Sequence, residues 1–304
     1  MSTGGTSTGP EPFPGHDGGA WALAPCRVVA TWPAPCFAEN LAVDAAGAVF
    51  VSLHSHNRVD RYDPATGAVQ PFAHLPAPVT GLAFDKDGVL WATGGTPGQP
   101  PGLVWRILAD GAVEEWAQVS NAPFLNGCAP HPDGRSLLVC ESMTSRVLGV
   151  DMRERGAWWT SIADERLRPA DPDTPGANGI KVRDGALWVS VTGRNTLLRA
   201  PLQADGSAAV LEVAAANLRA DDFAFAPDGA LLLATHPAHS VVRLAADGTR
   251  TTLAGPEQGA AGSTACAFGR AAGDAGALYV TTNGGLTAPW RGVAQDAKLL
   301  RLDV

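Results

Sequence analysis

Six polar residues recur at the start of similar phrases along the chain, and four of them carry oxygen atoms that could bind a metal ion. In chain order the six are Glu39, Thr80, Asn126, Asn178, Asp221 and Thr264. Carboxylate and amide oxygens are the donors that hard divalent cations such as Ca²⁺, Mg²⁺ and Mn²⁺ prefer, whereas softer metals select Cys or clusters of His. A cation held by such groups could polarise a carbonyl group and activate water, which is hydrolytic chemistry.

The phrases also predict the elements that position these residues. Each phrase opens with the polar residue, continues as a short apolar strand, turns at a glycine and returns as a second apolar strand, and the copies begin 41 to 52 residues apart. Two further strands follow most copies, as in RVDRYD and AVQPFA of the first repeat. A repeat of this kind is typical of a propeller blade. The sequence therefore predicts an all-β protein, a six-bladed β-propeller with four-stranded antiparallel blades.

The two ends of the chain are expected to complete this architecture. Residues 1–20 contain neither a basic start nor an apolar run, so we interpret them as a flexible tail and residues 21–304 as one propeller domain. The last repeat contains only ALYVTT and KLLRLDV after its first strand and is one strand short. We expect Cys26–Trp32 to supply the missing strand, so that strands from both termini close the ring in blade six and leave no unpaired edge.

In a radial arrangement the opening residues meet at one mouth of the central channel. Loops between second and third strands lie on the same face, and they contain His54, His56, Gly94, Glu141, Thr192, Arg194, His236, His239 and Asn283. Counting eight residues back from the turn glycine places Asp221, rather than Asp222, in register with Glu39. Carboxylates gathered on a narrow axis repel one another and are poorly hydrated, which a divalent cation would relieve. The structural alternative is that these side chains only cap strands and turns.

The order of these residues resembles one known family. Glu39, Asn126, Asn178-Gly179 and Asp221, at the starts of blades one, three, four and five, are similar to the pattern of the senescence marker protein and gluconolactonase family, which includes regucalcin. The resemblance runs from about Cys26 to the end of the chain, and ANGI, AFGR and ALYVTT also match. It implies a six-bladed propeller in which Glu39, Asn178 and Asp221 hold a divalent metal, with Asn126 contacting water at the metal or the substrate.

The chain departs from the family's usual residues beside these positions. It has Asn40-Leu41 after Glu39, Gly127 after Asn126, and Asp222-Phe223 after Asp221. These differences leave the implied ligands in place and change the pocket around them. We therefore identify the chain as a divergent relative.

The implied function is that of a metal-dependent hydrolase that opens a lactone or a related cyclic ester. Ca²⁺ is the first cofactor expected, then Mg²⁺ or Mn²⁺, with Zn²⁺ or Fe²⁺ as alternatives if histidines reach the ion. Asp221 is the expected general base, and Asn126 would orient water or stabilise the oxyanion. Further candidates for the substrate pocket are His54, Phe124, Glu141, His236 and Trp290, of which Phe124 and Trp290 could form an apolar wall. Glu141 could instead be an exposed charge at the rim.

Two other classes of function remain open. Propellers similar to this family include strictosidine-synthase-like proteins and other esterases, and the fold alone does not choose among them. The third class is a non-catalytic propeller that binds a small molecule and uses the cation for structure only. Metal-dependent turnover of lactones and esters would separate the enzymes from the binding protein.

Charge and composition limit the partners. The formal net charge is −8, with no cluster of Lys or Arg, which argues against a nucleic acid or an anionic membrane as partner. No stretch approaches the roughly 18 to 20 apolar residues of a membrane-spanning helix. We expect a soluble, cytoplasmic monomer or small homo-oligomer that acts on a small molecule. The five cysteines lack metal-type spacing and are expected to be reduced, with a Cys26–Cys36 disulfide as the alternative.

Overall fold

The computed structural model describes residues 19–203 and 209–304, which form six β-sheets. Blade one contains β3 (Ala38–Val43), β4 (Val49–Leu53), β5 (Arg58–Tyr62) and β6 (Val69–His74). Blade two contains β7 (Val79–Phe84), β8 (Leu90–Gly94), β9 (Gly102–Ile107) and β10 (Val113–Val119). Blade three contains β11 (Leu125–Pro130), β12 (Ser136–Glu141), β13 (Arg146–Asp151) and β14 (Trp158–Ala163).

The second half of the chain repeats this plan. Blade four contains β15 (Ala177–Arg183), β16 (Ala186–Val191), β17 (Thr196–Pro201) and β18 (Glu212–Ala216). Blade five contains β19 (Phe223–Phe225), β20 (Leu231–Ala234), β21 (Val241–Leu244) and β22 (Arg250–Ala254). Blade six contains β23 (Ser263–Phe268), β24 (Ala277–Thr282) and β25 (Ala297–Asp303). Short 3₁₀ turns cover His54–His56, Glu165–Leu167, Thr192–Arg194, Pro256–Gln258 and Trp290–Gly292.

The turn at the bottom of each first hairpin explains why the repeat is so visible in the sequence. In blade one the Asp44 side chain accepts a hydrogen bond from the Ala48 amide at 2.9 Å, and Gly47 has φ of 95°. The Asp85 side chain of blade two accepts an equivalent bond from Val89 at 2.9 Å. Asp supplies the acceptor and Gly tolerates the left-handed backbone, so this pair recurs for local reasons.

The first strand of each blade contacts the first strand of the next, and the series closes between β23 and β3. Apolar side chains pack in the seams between blades. Phe50 of blade one meets Phe84 of blade two with ring centroids 5.1 Å apart, and Trp188 of blade four meets Phe225 of blade five at 5.3 Å. These edge-to-face contacts join the sheets into a closed, six-bladed β-propeller, and the predicted fold class is confirmed.

The N-terminal segment closes the ring as predicted. Strand β2 (Cys26–Trp32) pairs antiparallel with β25 and completes blade six. The short strand β1 (Ala20–Trp21) was not predicted, and it adds to blade five by pairing in parallel with β22. The flexible tail predicted for residues 1–20 lies outside the described residues up to residue 18.

All five cysteines are free thiols, so the alternative Cys26–Cys36 disulfide is not formed. Within residues 19–203 and 209–304, no helix has the length and apolar character needed to cross a membrane.

Candidate metal and substrate site

The opening residues of blades one to four and six lie at β-bulges in the innermost strands, and Asp221 lies just before β19 of blade five. In blade one the ladder passes from the pair Ala38–Leu53 to the pair Asn40–Ser52, which leaves Glu39 unpaired. The ladders of blades three and four shift in the same way around Asn126 and Asn178. A bulge bends its strand and re-aims the extra residue. The side chains at these bulges therefore depart from the regular alternation of the strand, at one end of the channel.

Buried hydroxyl groups on second strands hold these bulges in place. In blade one the Ser52 hydroxyl accepts a hydrogen bond from the Asn40 amide at 2.9 Å. Thr93 of blade two accepts one from the Gly81 amide at 3.1 Å, and Ser190 of blade four accepts one from the Gly179 amide at 2.8 Å. Each hydroxyl also donates to a backbone carbonyl of the following blade. Ser52 donates to Thr80 at 2.8 Å, Thr93 to Asn126 at 2.5 Å, and Ser190 to Asp221 at 2.7 Å. This repeated link makes Asp221, not Asp222, the equivalent of Thr80 and Asn126.

Asn178 and Asp221 meet across the seam between blades four and five. Asn178 Nδ2 donates to Asp221 Oδ1 and, at 3.0 Å, to Thr192 Oγ1. Both bonds use the amide nitrogen, so neither engages Asn178 Oδ1. The other oxygen of Asp221 lies 3.7 Å from His236 Nδ1. Asp221 itself is buried.

Glu39 reaches the same region from blade one. Its Oε2 atom is buried and accepts no hydrogen bond. Burial, together with the nearby Asp222 charge, raises the pKa of Glu39 to about 7. Burial also raises the pKa of Asp221 well above its usual range, with Glu39 and Asp222 adding to the effect and the bond from Asn178 opposing it. The Glu39 charge thus disfavours ionisation of Asp221, and a cation between the two carboxylates would favour the ionised form of both.

These observations fit a site for a hard divalent cation built from Glu39, Asn178 and Asp221. The orphaned Glu39 oxygen is a buried acceptor without a donor, which is uncommon in folded proteins. Among the described residues, no three His, Cys, Asp or Glu side chains group as a metal site. The expected set contains only two such residues, its third member being an amide.

Asp222, the neighbour of Asp221, is already paired. Lys181 Nζ contacts both of its carboxylate oxygens, at 2.6 and 2.8 Å, and Asn40 Nδ2 lies 3.4 Å from one of them. The sequence interpretation missed this Lys. Its signal was strand periodicity, because Lys181 is two residues beyond Gly179 in the same strand and so points to the same side.

Asn126 lies at the blade-three position next to Asn178. It is buried, and its Nδ2 is 3.3 Å from Ser142 Oγ. Ser142 Oγ in turn donates to the carbonyl of Ala177 at 2.6 Å. Asn126 is therefore anchored beside the strand that carries Asn178.

Two candidate histidines approach each other across an aromatic ring that the sequence interpretation overlooked. Phe37 lies 5.8 Å from His54 and 5.7 Å from His236, measured between ring centroids. Burial lowers the pKa of His54, and burial with the charge of His239 lowers that of His236 to about 4. Both rings are thus neutral at physiological pH, and they form an apolar wall with Phe37. Phe37 carries no signal in the sequence beyond its place just before the bulged strand.

The ring nitrogens of these two histidines differ in their contacts. His236 Nε2 is 2.9 Å from Thr287 Oγ1, which brings the long blade-six loop over the mouth. His54 Nδ1 is buried without a hydrogen-bond partner.

The remaining candidates from the sequence are Glu141, Phe124 and Trp290. Glu141 is fully buried and accepts from the amides of Phe124, Met143 and Thr144 at 3.2, 3.3 and 2.5 Å. These bonds make Glu141 the acceptor of its turn and exclude the rim charge that the sequence left open. Phe124 is half-buried beside it.

Trp290 lines a cavity of about 430 Å³ between loops of blades five and six, with Pro237, His239 and Arg219 on the other walls. The guanidinium of Arg291 stacks on the Trp290 ring at 4.3 Å from its centroid. Trp290 therefore lies beside the loop that carries His236, and its ring forms part of the wall of this cavity.

A scan against protein-family models and a search of curated proteins both find no match for this sequence. Solved structures are similar. A luciferin-regenerating enzyme matches with a TM-score of 0.70 and 11% identity, over 92% of this chain and 95% of that chain. A gluconolactonase from Xanthomonas campestris matches with a TM-score of 0.68 and 15% identity, over 92% and 89%. The calcium-binding protein regucalcin from Agrobacterium tumefaciens matches with a TM-score of 0.64 and 18% identity, over 93% and 96%. At these identities the likeness establishes the propeller fold.

Proposed function

We propose that this chain is a divergent gluconolactonase-type propeller and a metal-dependent hydrolase that opens a lactone or a related cyclic ester. The observation that carries the proposal is the buried Glu39 carboxylate, which has an unpartnered oxygen at the mouth of the channel. Its charge also raises the pKa of Asp221. The structural similarity to a gluconolactonase and to a calcium-binding protein supports the same conclusion.

Glu39, Asn178 and Asp221 would hold the cation. The three oxygen donors favour Ca²⁺, Mg²⁺ or Mn²⁺ over softer metals, and the similarity to a calcium-binding protein makes Ca²⁺ the first choice. When bound, a divalent cation supplies Lewis-acid polarisation of a carbonyl oxygen and lowers the pKa of water.

The protein's own groups perform the remaining tasks. Asp221 accepts a proton at Oδ2, the oxygen that faces His236 Nδ1 at 3.7 Å, and so acts as the general base. Neutral His236 adds no competing positive charge beside that oxygen. Asn126 presents its amide to the substrate from the adjoining blade. The Phe37, His54 and His236 rings exclude water from the side nearest blade one.

The test begins with full-length protein stripped of metal by a chelator. Ca²⁺, Mg²⁺, Mn²⁺ or Zn²⁺ is then restored singly, and turnover is measured on aliphatic, sugar and aryl lactones and on aryl esters. Asp221→Ala is expected to abolish metal binding and to lower kcat/KM at least a thousandfold. Asp87→Ala, which removes an exposed acid from the hairpin at the far end of blade two, serves as the control and leaves both unchanged.

The outcomes separate the functional classes. Metal-dependent ring opening supports the lactonase, and turnover confined to open-chain esters favours the esterase-type alternative. Tight metal binding without turnover on any substrate supports a non-catalytic binding protein. Full activity of Asp221→Ala contradicts the role given to Asp221.

A further inference from the structure

The channel contains a third buried carboxylate, that of Asp222, and the Lys181 ammonium pairs with it. Asp222 is buried and receives the Lys181 ammonium on both of its oxygens, at 2.6 and 2.8 Å. The Lys181 side chain keeps 31% of its exposure. It approaches from the opposite end of the channel, where it lines a cavity of about 510 Å³.

The absence of a side chain at Gly179 leaves room for the Asp222 carboxylate in this pair. A Cβ atom on Gly179 would lie 2.4 Å from Asp222 Oδ1 and 2.8 Å from Asp222 Cα, so a larger residue there would displace the carboxylate. The Gly179 amide also donates to the Asp221 carbonyl at 3.0 Å. Gly179, Asp222 and Lys181 therefore form one packed unit directly beneath Asp221.

The charges then add up in a specific way. Glu39, Asp221 and Asp222 interact electrostatically with one another, and together they carry three negative charges when ionised. Lys181 cancels one of them, which leaves the two on Glu39 and Asp221. We propose that the Lys181–Asp222 pair is a built-in charge compensator that sets the metal site to a net charge of about −2 and so selects a divalent over a trivalent cation. This inference rests on the proposed metal site.

A different role for Asp222, as a ligand in its own right, fits the contacts less well. Both of its oxygens face Lys181, and one also faces Asn40 Nδ2 at 3.4 Å. Asp221, by contrast, directs one oxygen to an amide donor and the other toward His236.

The experiment measures binding of metal alone, Ca²⁺ and La³⁺ in separate calorimetric titrations of chelator-stripped, full-length protein. Asp222→Asn leaves the Lys181 charge uncompensated and is expected to weaken Ca²⁺ binding at least tenfold. Combining it with Lys181→Met removes both charges and is expected to restore the affinity to within about threefold of the parent protein. Lys181→Met alone adds one negative charge and should raise the preference for La³⁺ over Ca²⁺ at least tenfold.

These results discriminate between the possible roles. If Asp222 were a ligand, the double variant would bind Ca²⁺ as weakly as Asp222→Asn. If the pair were only structural, the La³⁺ to Ca²⁺ preference of Lys181→Met would equal that of the parent protein. Either result overturns the inference. A parent protein that binds neither ion instead refutes the proposed metal site itself.

Two controls guard against loss of folding. Lys86→Met breaks an exposed Lys–Asp pair with a spacing of 2.7 Å and should change neither affinity nor selectivity. Lys181→Gln retains a donor for Asp222, so it replaces Lys181→Met in the selectivity measurement if the Met variant does not fold. Thermal unfolding without metal, followed by circular dichroism, identifies the variants that are folded.

Discussion

Glu39→Gln should make the metal-free protein more stable at neutral pH, although it removes a proposed metal ligand. The Glu39 carboxyl has a pKa of about 7 in the folded protein, against 4.5 for an ordinary Glu. Between these values the folded state holds a proton that the unfolded chain has lost, so stability falls as pH rises. The stabilising contribution of the protonated carboxyl is complete below pH 4.5 and is lost as pH rises through 7. Gln has nearly the same shape and no charge, and it avoids this loss.

The size of the effect follows from the two pKa values. A tenfold change in proton affinity corresponds to about 1.4 kcal/mol, so the interval from 4.5 to about 7 corresponds to about 3 kcal/mol. The difference in unfolding free energy between Glu39→Gln and the parent protein should therefore rise by about 3 kcal/mol between pH 4.5 and pH 8. Any fixed effect of the new amide is the same at both pH values and cancels.

Urea unfolding at pH 4.5, 6 and 8, with chelator present, measures this difference directly. Glu165→Gln, at a side chain that is 77% exposed, is the matched control and should show no pH-dependent gain. Saturating Ca²⁺ should stabilise the parent protein and leave Glu39→Gln nearly unchanged, because only the parent retains the full ligand set. A stability difference that stays constant from pH 4.5 to pH 8 would refute the reasoning about the buried, unpartnered carboxylate.

Two further predictions concern the framework around the site. Ser190→Ala should lower the unfolding free energy by about 1 kcal/mol, because it removes the hydroxyl that bridges the buried Gly179 amide and Asp221 carbonyl, which keep only their direct bond at 3.0 Å. Ser120→Ala, at an exposed turn, should lower it by less than about 0.5 kcal/mol, and equal losses in the two variants would contradict the proposed link. Burial raises the pKa of Cys128 to about 12. Only about one thiol in ten thousand is then ionised at pH 8, so iodoacetamide should label it in urea and not in the native protein, and rapid native labelling would show that the thiol is accessible.

The fold was predictable because its signals are local. The Asp and Gly residues of each first hairpin recur for reasons contained within one turn, and the repeat length then fixes the number of blades. The missing strand of blade six likewise pointed to Cys26–Trp32, which pairs there with β25. Strand β1 could not be predicted in this way. It is two residues long, and only its tertiary contact with β22 defines it.

The site was predictable in its register and not in its partners. The equivalence of Asp221 with the other opening residues followed from counting along the repeat. The ion pair between Lys181 and Asp222 crosses the seam between two blades and joins residues far apart in sequence. Phe37 and its two histidines also come from separate blades. Contacts of this kind depend on how neighbouring sheets are packed, which a repeat pattern does not encode.

Glu141 illustrates a limit of a different kind. The sequence placed it on the chemically rich face, which was consistent with either a pocket wall or an exposed rim charge. The structure instead buries it and surrounds it with amide donors from its own turn and from Phe124. A carboxyl group whose oxygens already accept hydrogen bonds from several amides has little need for a cation. Glu39 is the opposite case, a carboxylate with a buried and unpartnered oxygen.

That contrast explains how a repeated scaffold provides one place for the proposed cation site. Hydroxyl links such as that of Ser190 fix the backbone of several opening residues, so each blade offers its side chain from a rigid position. Thr80 satisfies its own hydroxyl within the scaffold, by donating to the carbonyl of Leu125 at 2.8 Å. Glu39 and Asp221 are held in equally rigid positions without enough donors. The rigid ring prevents them from moving apart, so their repulsion is relieved either by taking up a proton, as their raised pKa values indicate, or by binding the proposed cation.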